Sequence, residues 1–275
     1  MSGSTHPVTL FTGQWADLPF EEVARLAASW GYDGLEIAAS GDHLDLQRAE
    51  DDPGYLASRL EILDRYGLQV YAISNHLAGQ AVCDSPIDFR HKAILRPQVW
   101  GDGDAEGVRQ RAAEDMKRAA RVARRLGVDT VVGFTGSSVW PYVAMFPPVP
   151  ASVIDAGYED FAARWNPILD VFDAEGVRFA HEVHPGEIAY DYWTSVLTLE
   201  AIGHRKAFGF NWDPSHDVAE HRSGRLHLGL PRADLSRRLQ GHAVASAERP
   251  CRCSRIAPAL GRPPSRLGFR VDRAR

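Results

Sequence analysis

Through its first 216 residues the chain repeats one unit, a short β-rich run followed by an amphipathic helical stretch that glycine closes. Strand-like runs stand at 8–12, 35–38, 70–74, 130–134, 177–183 and 207–212. Helical periods lie between them at 19–30, 55–66, 105–126, 158–174 and 193–202. Gly31, Gly67, Gly127, Gly176 and Gly203 follow those helices closely. In the first helix Phe20, Val23, Leu26, Ala27 and Trp30 recur on one face. Strands alternating with helices of this length form parallel sheets, because each return to the same sheet edge needs a crossover, and such crossovers are right-handed. The chain is therefore an α/β protein.

Two α/β architectures compete. A doubly wound sheet normally carries a glycine-rich phosphate turn after its first strand, and Thr12-Gly13-Gln14-Trp15 is not one. A (β/α)8 barrel fits the regular spacing better, since polar residues then follow many strands rather than one. The expectation is a TIM-type (β/α)8 barrel with six βα units at 8–216 and strands seven and eight absent or degenerate. Long loops rich in Gly, Pro and aromatic residues after strands three and four read as the rim of an active site.

Composition breaks where the rhythm does. Of 26 aromatic residues only Phe269 lies beyond Trp212. Residues 217–275 hold 13 Arg, no Lys and 5 acids, a charge of +8, whereas residues 1–216 carry −13 (18 basic less 31 acidic). The domain expectation is an incomplete barrel at 1–216 and an Arg-rich irregular tail at 217–275. A net charge of −5 over 275 residues argues against a nucleic-acid partner. No apolar run approaches the roughly 20 residues of a membrane span. Nothing resembles a signal peptide, and three cysteines are too few for a disulfide framework, so the expected compartment is the cytoplasm. Homo-oligomerisation is left open.

Two strand-like runs end on a carboxylate with an imidazole just beyond: Glu182 then His184, and Asp213 then His216. In a parallel α/β fold these lie on neighbouring strand ends, at the ligand-binding face. Carboxylate oxygens suit Mn²⁺ or Mg²⁺, and imidazole widens the choice to Co²⁺ or Zn²⁺. Glu182 and Asp213 are the candidate metal ligands. A helix cap or an arginine pair is the plainer reading of either acid alone. His184 and His216 are candidates for substrate contact, against the alternative of surface loop histidines. His181, next to Glu182, faces the helices by strand alternation. Glu36 and His76 end the second and third strands and face the same mouth; a cap or a solvated loop is the bland alternative. Trp15, Phe134, Trp140 and Trp212 are candidate walls, although aromatics are more often core. The loop from Gly133 to Ser138 offers backbone amides to a phosphate, a weak pattern by itself. No nucleophile elbow, Walker loop or dinucleotide fingerprint occurs.

Taken together, Tyr32-Asp33-Gly34-Leu35-Glu36, Ser74-Asn75-His76-Leu77, Gly133-Phe134-Thr135-Gly136-Ser137, Glu182-Val183-His184-Pro185 and Asn211-Trp212-Asp213-Pro214-Ser215-His216 make the chain resemble the sugar phosphate isomerase/epimerase group with the xylose-isomerase-like barrel. The resemblance implies one divalent metal, with Mn²⁺ foremost, held by a Glu after strand five, an Asp after strand six, a His on strand seven and a Glu after strand eight. Glu182 and Asp213 match the first two. It further implies proton transfer beside a ketose carbonyl, with Glu182 as base and His184, His216, Glu36 and His76 around a small sugar or sugar phosphate. Lyases share these residues. An apurinic endonuclease of similar fold fits less well, since it needs more metal ligands and a basic surface.

The last two ligands have no match. The family's seventh strand reads Arg-Ile-Tyr-His-Val-(Asp/His)-x-Lys-Asp, whereas residues 234–241 read Asp-Leu-Ser-Arg-Arg-Leu-Gln-Gly. Written with the codons GAT CTA TCA CGT CGA CTG CAA GGA and regrouped one nucleotide out of phase, that stretch becomes Ile-Tyr-His-Val-Asp-Cys-Lys. The tail is therefore expected to be out-of-frame sequence, and the alternative function is a catalytically defective member with half a metal site.

Overall fold

The structure is a computed structural model that describes residues 6–143 and 145–213. All of them belong to the first of two units into which the chain divides, Met1–Val244. Six strands, β1 (Thr9–Phe11), β2 (Gly34–Ala38), β3 (Gln69–Ser74), β4 (Thr130–Gly133), β5 (Arg178–Glu182) and β6 (Phe208–Asn211), form one sheet. Every neighbouring pair is parallel and the strand order equals the chain order. A doubly wound sheet reverses order at a switch point; this one never does. The sheet is thus the wall of a singly wound (β/α) barrel. The expected seventh and eighth strands, the out-of-frame tail and the boundary at 216 lie outside the described residues.

Helices α1 (Phe20–Trp30), α2 (Leu46–Asp51), α3 (Pro53–Tyr66), α4 (His76–Gln80), α5 (Phe89–Ile94), α6 (Pro97–Trp100), α7 (Ala105–Leu126), α8 (Ala151–Glu175) and α9 (Tyr192–Ala201) fill the connections. Gly31, Gly67, Gly127 and Gly176 adopt the left-handed conformation at the ends of α1, α3, α7 and α8, as a C-cap requires. Helix α8 begins seven residues before the expected start at 158. It springs from Pro150, and its Gly157 is no breaker, since a Cβ there would stand 2.0 Å from Val139 Cγ1.

Strand alternation sorts the side chains into two layers. Leu35, Ile37, Ile73, Val131, Phe179, Phe208 and Phe210 join the helices in the main core, where Trp165, Phe161 and Phe172 are wholly buried. The other set, Ala72, Val132 and Ala180, packs as a small separate cluster inside the wall. Small side chains on that inner face leave the strand ends free to carry polar groups.

Candidate active site

At the C-terminal ends of the strands the inner face turns polar. Glu36 sits inside β2, beside Phe11 in register with β1, and is buried. Burial raises its carboxyl above the usual range. The His76 ring offsets that effect, and the Glu182 carboxylate adds to it. Ser74 Oγ is buried near this carboxyl and reaches no protein partner at full hydrogen-bond geometry.

His76 opens α4. The residue before it, Asn75, is buried and donates from Nδ2 to Asp115 of α7 at 2.9 Å. Asp115 is itself paired with Arg96 and Arg118. That buried anchor fixes the start of α4, so His76 points across the barrel mouth. Its Nε2 lies 3.0 Å from Oε2 of Glu182, both side chains about one-seventh exposed (14% and 15%). Gly79 allows the approach of α4 to the next loop, since a Cβ there would come within 2.1 Å of the Phe134 carbonyl.

Phe134 stands edge-on to the His76 ring at 4.7 Å between centroids and meets the His184 ring at 5.0 Å. Phe11 adds a face at 5.8 Å from His76. His184 donates from Nδ1 to the Pro185 carbonyl at 2.5 Å, and its backbone N–H donates to Ala189. A neutral ring bonded this way presents Nε2 as an acceptor. Glu182 pairs in register with Asn211 of β6, and Asp213 follows two residues later. The structure therefore gathers Glu36, His76, Glu182 and His184 into one constellation, with Asp213 beyond the adjacent strand end. His216 lies outside the described residues.

His181 behaves as alternation requires. It is fully buried, with its ring against Phe208 and Phe210 and Nε2 at 3.3 Å from the Ala189 carbonyl. Burial pushes its pKa down to about 4, so it is a neutral structural residue.

The phosphate reading of the loop after β4 is corrected by the structure. The Thr135 and Gly136 amides donate to Glu187, the Ser137 amide donates to Asp84, and the Val139 and Trp140 amides donate to Ser137 Oγ. These donors are spent within the protein. Glu187, fully buried, was invisible in the sequence as a partner of this loop, because the two are 51 and 52 residues apart. Its occurrence five residues after Glu182 was the only available signal.

Among the described residues no three His, Cys, Asp or Glu side chains gather closely enough to hold a metal ion. Glu182 and Asp213 are hard oxygen donors, the chemistry that Mn²⁺ or Mg²⁺ prefers, and two such donors make a partial set.

The family model described as xylose isomerase-like TIM barrel matches residues 24–251. The chain belongs to this family. Among solved structures, 3-keto-D-glucoside 4-epimerase from E. coli is similar with a TM-score of 0.59 at 13% identity, over 87% of this chain and 78% of that one. D-psicose 3-epimerase from Clostridium cellulolyticum H10 gives 0.54 at 14%, over 79% and 66%. A probable 3-DHS dehydratase of petrobactin synthesis from Bacillus anthracis gives 0.52 at 16%, over 76% and 64%. The chain thus spans just under two thirds of the dehydratase and epimerase structures it first matches. At such identities the likeness is one of fold. No curated protein sequence matches the chain. Among the described residues no helix is long and apolar enough to cross a membrane.

Proposed function

We propose that the chain is an isomerase or epimerase of a small sugar, acting by proton transfer at a carbon beside a carbonyl. The observation that carries this reading is the His76–Glu182 pair at the barrel mouth, with the buried Glu36 carboxyl next to it and Phe11, Phe134 and His184 as walls. A carboxylate held by an imidazole in a half-dry cup is a competent base for a weakly acidic C–H, and positioned general bases contribute about 10²- to 10⁴-fold. Glu182 takes the proton. His76 holds the Glu182 carboxylate in place through its Nε2. Glu36 and His184 bind hydroxyls, and Phe134 supports the apolar face of the ring or chain. Structural similarity to two sugar epimerases supports the substrate class. The filled loop after β4 favours an unphosphorylated sugar over binding of a phosphate at that place.

A divalent cation held by Glu182 and Asp213 would polarise the substrate's oxygens and make the adjacent C–H more acidic. The second reading is a lyase, supported by the similarity to a dehydratase. Both reactions begin with the same proton abstraction and differ in whether water leaves.

Ketohexoses and ketopentoses incubated with the purified chain and Mn²⁺, then separated by chromatography, test the proposal. The expected product is an epimer or aldose, with Glu182→Gln reducing turnover at least about 100-fold while the folded fraction is unchanged. Loss of water from the substrate selects the lyase. Turnover retained by the variant contradicts the role of Glu182, and no turnover of any sugar leaves the defective-member reading.

A further inference from the structure

Glu187 takes no place in the constellation at the mouth, yet it is 1% exposed and tied to it from behind. Its Oε2 accepts the Thr135 N–H at 2.8 Å, the Gly136 N–H at 2.8 Å and the Thr135 hydroxyl at 3.2 Å. Oδ1 of Asp84 accepts the next amide, Ser137, at 2.9 Å. Asp84 is held in turn by Gln80 and His91. The Trp165 indole N–H donates to the Thr135 carbonyl. The loop after β4 is therefore fixed at three successive amides and one carbonyl, directly after Phe134.

Glu187 also belongs to the turn after β5. Its own N–H donates to the His184 carbonyl, and the His184 N–H donates to Ala189. One carboxyl thus fastens the loop that carries Phe134 to the turn that carries His184. Those two rings meet, and Phe134 bears edge-on upon His76, the residue that grips Glu182. Displacing the loop displaces Phe134, and with it the support of the His76 ring.

We propose that Glu187 is a positioning residue for the reaction at Glu182: it clamps the loop after β4 to the turn after β5, and so sets Phe134 against His76 and His76 on the Glu182 carboxylate. This rests on the role proposed above for the His76–Glu182 pair. Glu187 itself touches no substrate. A glutamine in its place keeps an acceptor oxygen for the loop amides, whereas alanine leaves the Thr135 and Gly136 amides with none and the Thr135 hydroxyl with the Gly136 carbonyl alone.

The test compares the full chain with Glu187→Gln and Glu187→Ala, by turnover and by NMR of ¹⁵N-labelled histidine rings, with the His76 signals assigned through His76→Gln. In folded Glu187→Ala the His76 ring signals move from their wild-type positions, and in Glu187→Gln they return. Turnover follows the same pattern. Glu187→Ala loses about tenfold or more in kcat with KM changed less, since a shift of about 1 Å in a supporting group costs rate rather than binding, and Glu187→Gln recovers most of it. A folded Glu187→Ala with unmoved His76 signals overturns the clamp, as does a Glu187→Gln as damaged as the alanine variant. If Glu187→Ala does not fold, Glu187→Asp takes its place: its side chain is one methylene shorter and draws the carboxyl back from the Thr135 and Gly136 amides, and unmoved His76 signals there overturn the proposal equally. A chain with no turnover, but with His76 signals that respond as described, refutes the proposed reaction and leaves the clamp standing.

Discussion

Two ionisable groups buried around β5, His181 and Glu187, give the fold a pH dependence of known sign. Burial pushes Glu187 up to about 8, the loop amides offsetting part of that effect and the Asp84 carboxylate adding to it. In the unfolded chain a Glu ionises near 4.5. The group's contribution to stability is therefore fully present below about pH 4.5 and is lost as pH rises to about 8, at up to about 1.4 kcal/mol per pH unit. Thermal unfolding of wild type and Glu187→Gln between about pH 5 and about pH 8 checks this. The wild-type midpoint should fall relative to the variant's, and parallel curves would remove the neutral carboxyl from the account. For His181 the sign reverses. Its folded value near 4 lies below the ordinary 6.5, so stability is lost as pH falls between those values. His181→Phe should flatten that acid limb, and an unchanged limb would contradict the assignment. Both acids at the mouth could be named from sequence, because an apolar run ending on a carboxylate is a local pattern. Glu187 could not, because its partners come from another loop and only the folded barrel brings them together.

At the scale of elements, glycine made the helix ends legible. Gly31, Gly67, Gly127 and Gly176 each carry a positive φ that any other residue adopts at a cost. Helix α7 stands where its apolar period ends, at Ala105–Leu126. The short helices α2, α4, α5 and α6 escaped the sequence, since one or two turns hold too few positions for a period to register. The start of α8 escaped for a different reason: three prolines and Gly157 read as loop, while Gly157 in fact makes room for Val139. Gly136 is the position where this distinction is most testable. Its φ is +69°, and a Cβ would stand 2.1 Å from the Gln80 carbonyl. Gly136→Ala should cost about 1–3 kcal/mol or more by denaturant unfolding. A cost near zero would mean that the loop after β4 is not held as described. Trp165 reaches from α8 onto the sheet, 4.5 Å from Phe179 between ring centroids, and Trp165→Ala should cost about 3–5 kcal/mol by the same measurement.

For the molecule as a whole, the unbroken strand order marks a barrel wall, and the repeat of β-run, helix and glycine was enough to anticipate it. The sequence could not say how the mouth is wired. The pair His76–Glu182 spans 106 residues, and the rings of Phe134 and His184 meet only once the crossover from β4 to β5 has formed. Calorimetric titration with Mn²⁺ addresses the proposed ligands Glu182 and Asp213. Wild type should take up the ion, and Asp213→Asn and Glu182→Gln should each weaken uptake at least about tenfold, as loss of one charged ligand from a small set requires. Equal binding by all three would place the cation elsewhere. Movement of a proton by Glu182 beside a carbonyl leaves its clearest trace in D₂O. Proton NMR follows a ketose substrate incubated with Mn²⁺ and the enzyme. Deuterium should replace the hydrogen on the carbon next to the carbonyl with wild type and not with Glu182→Gln; conversion of substrate with that hydrogen retained, or exchange undiminished in the variant, would contradict proton transfer by Glu182.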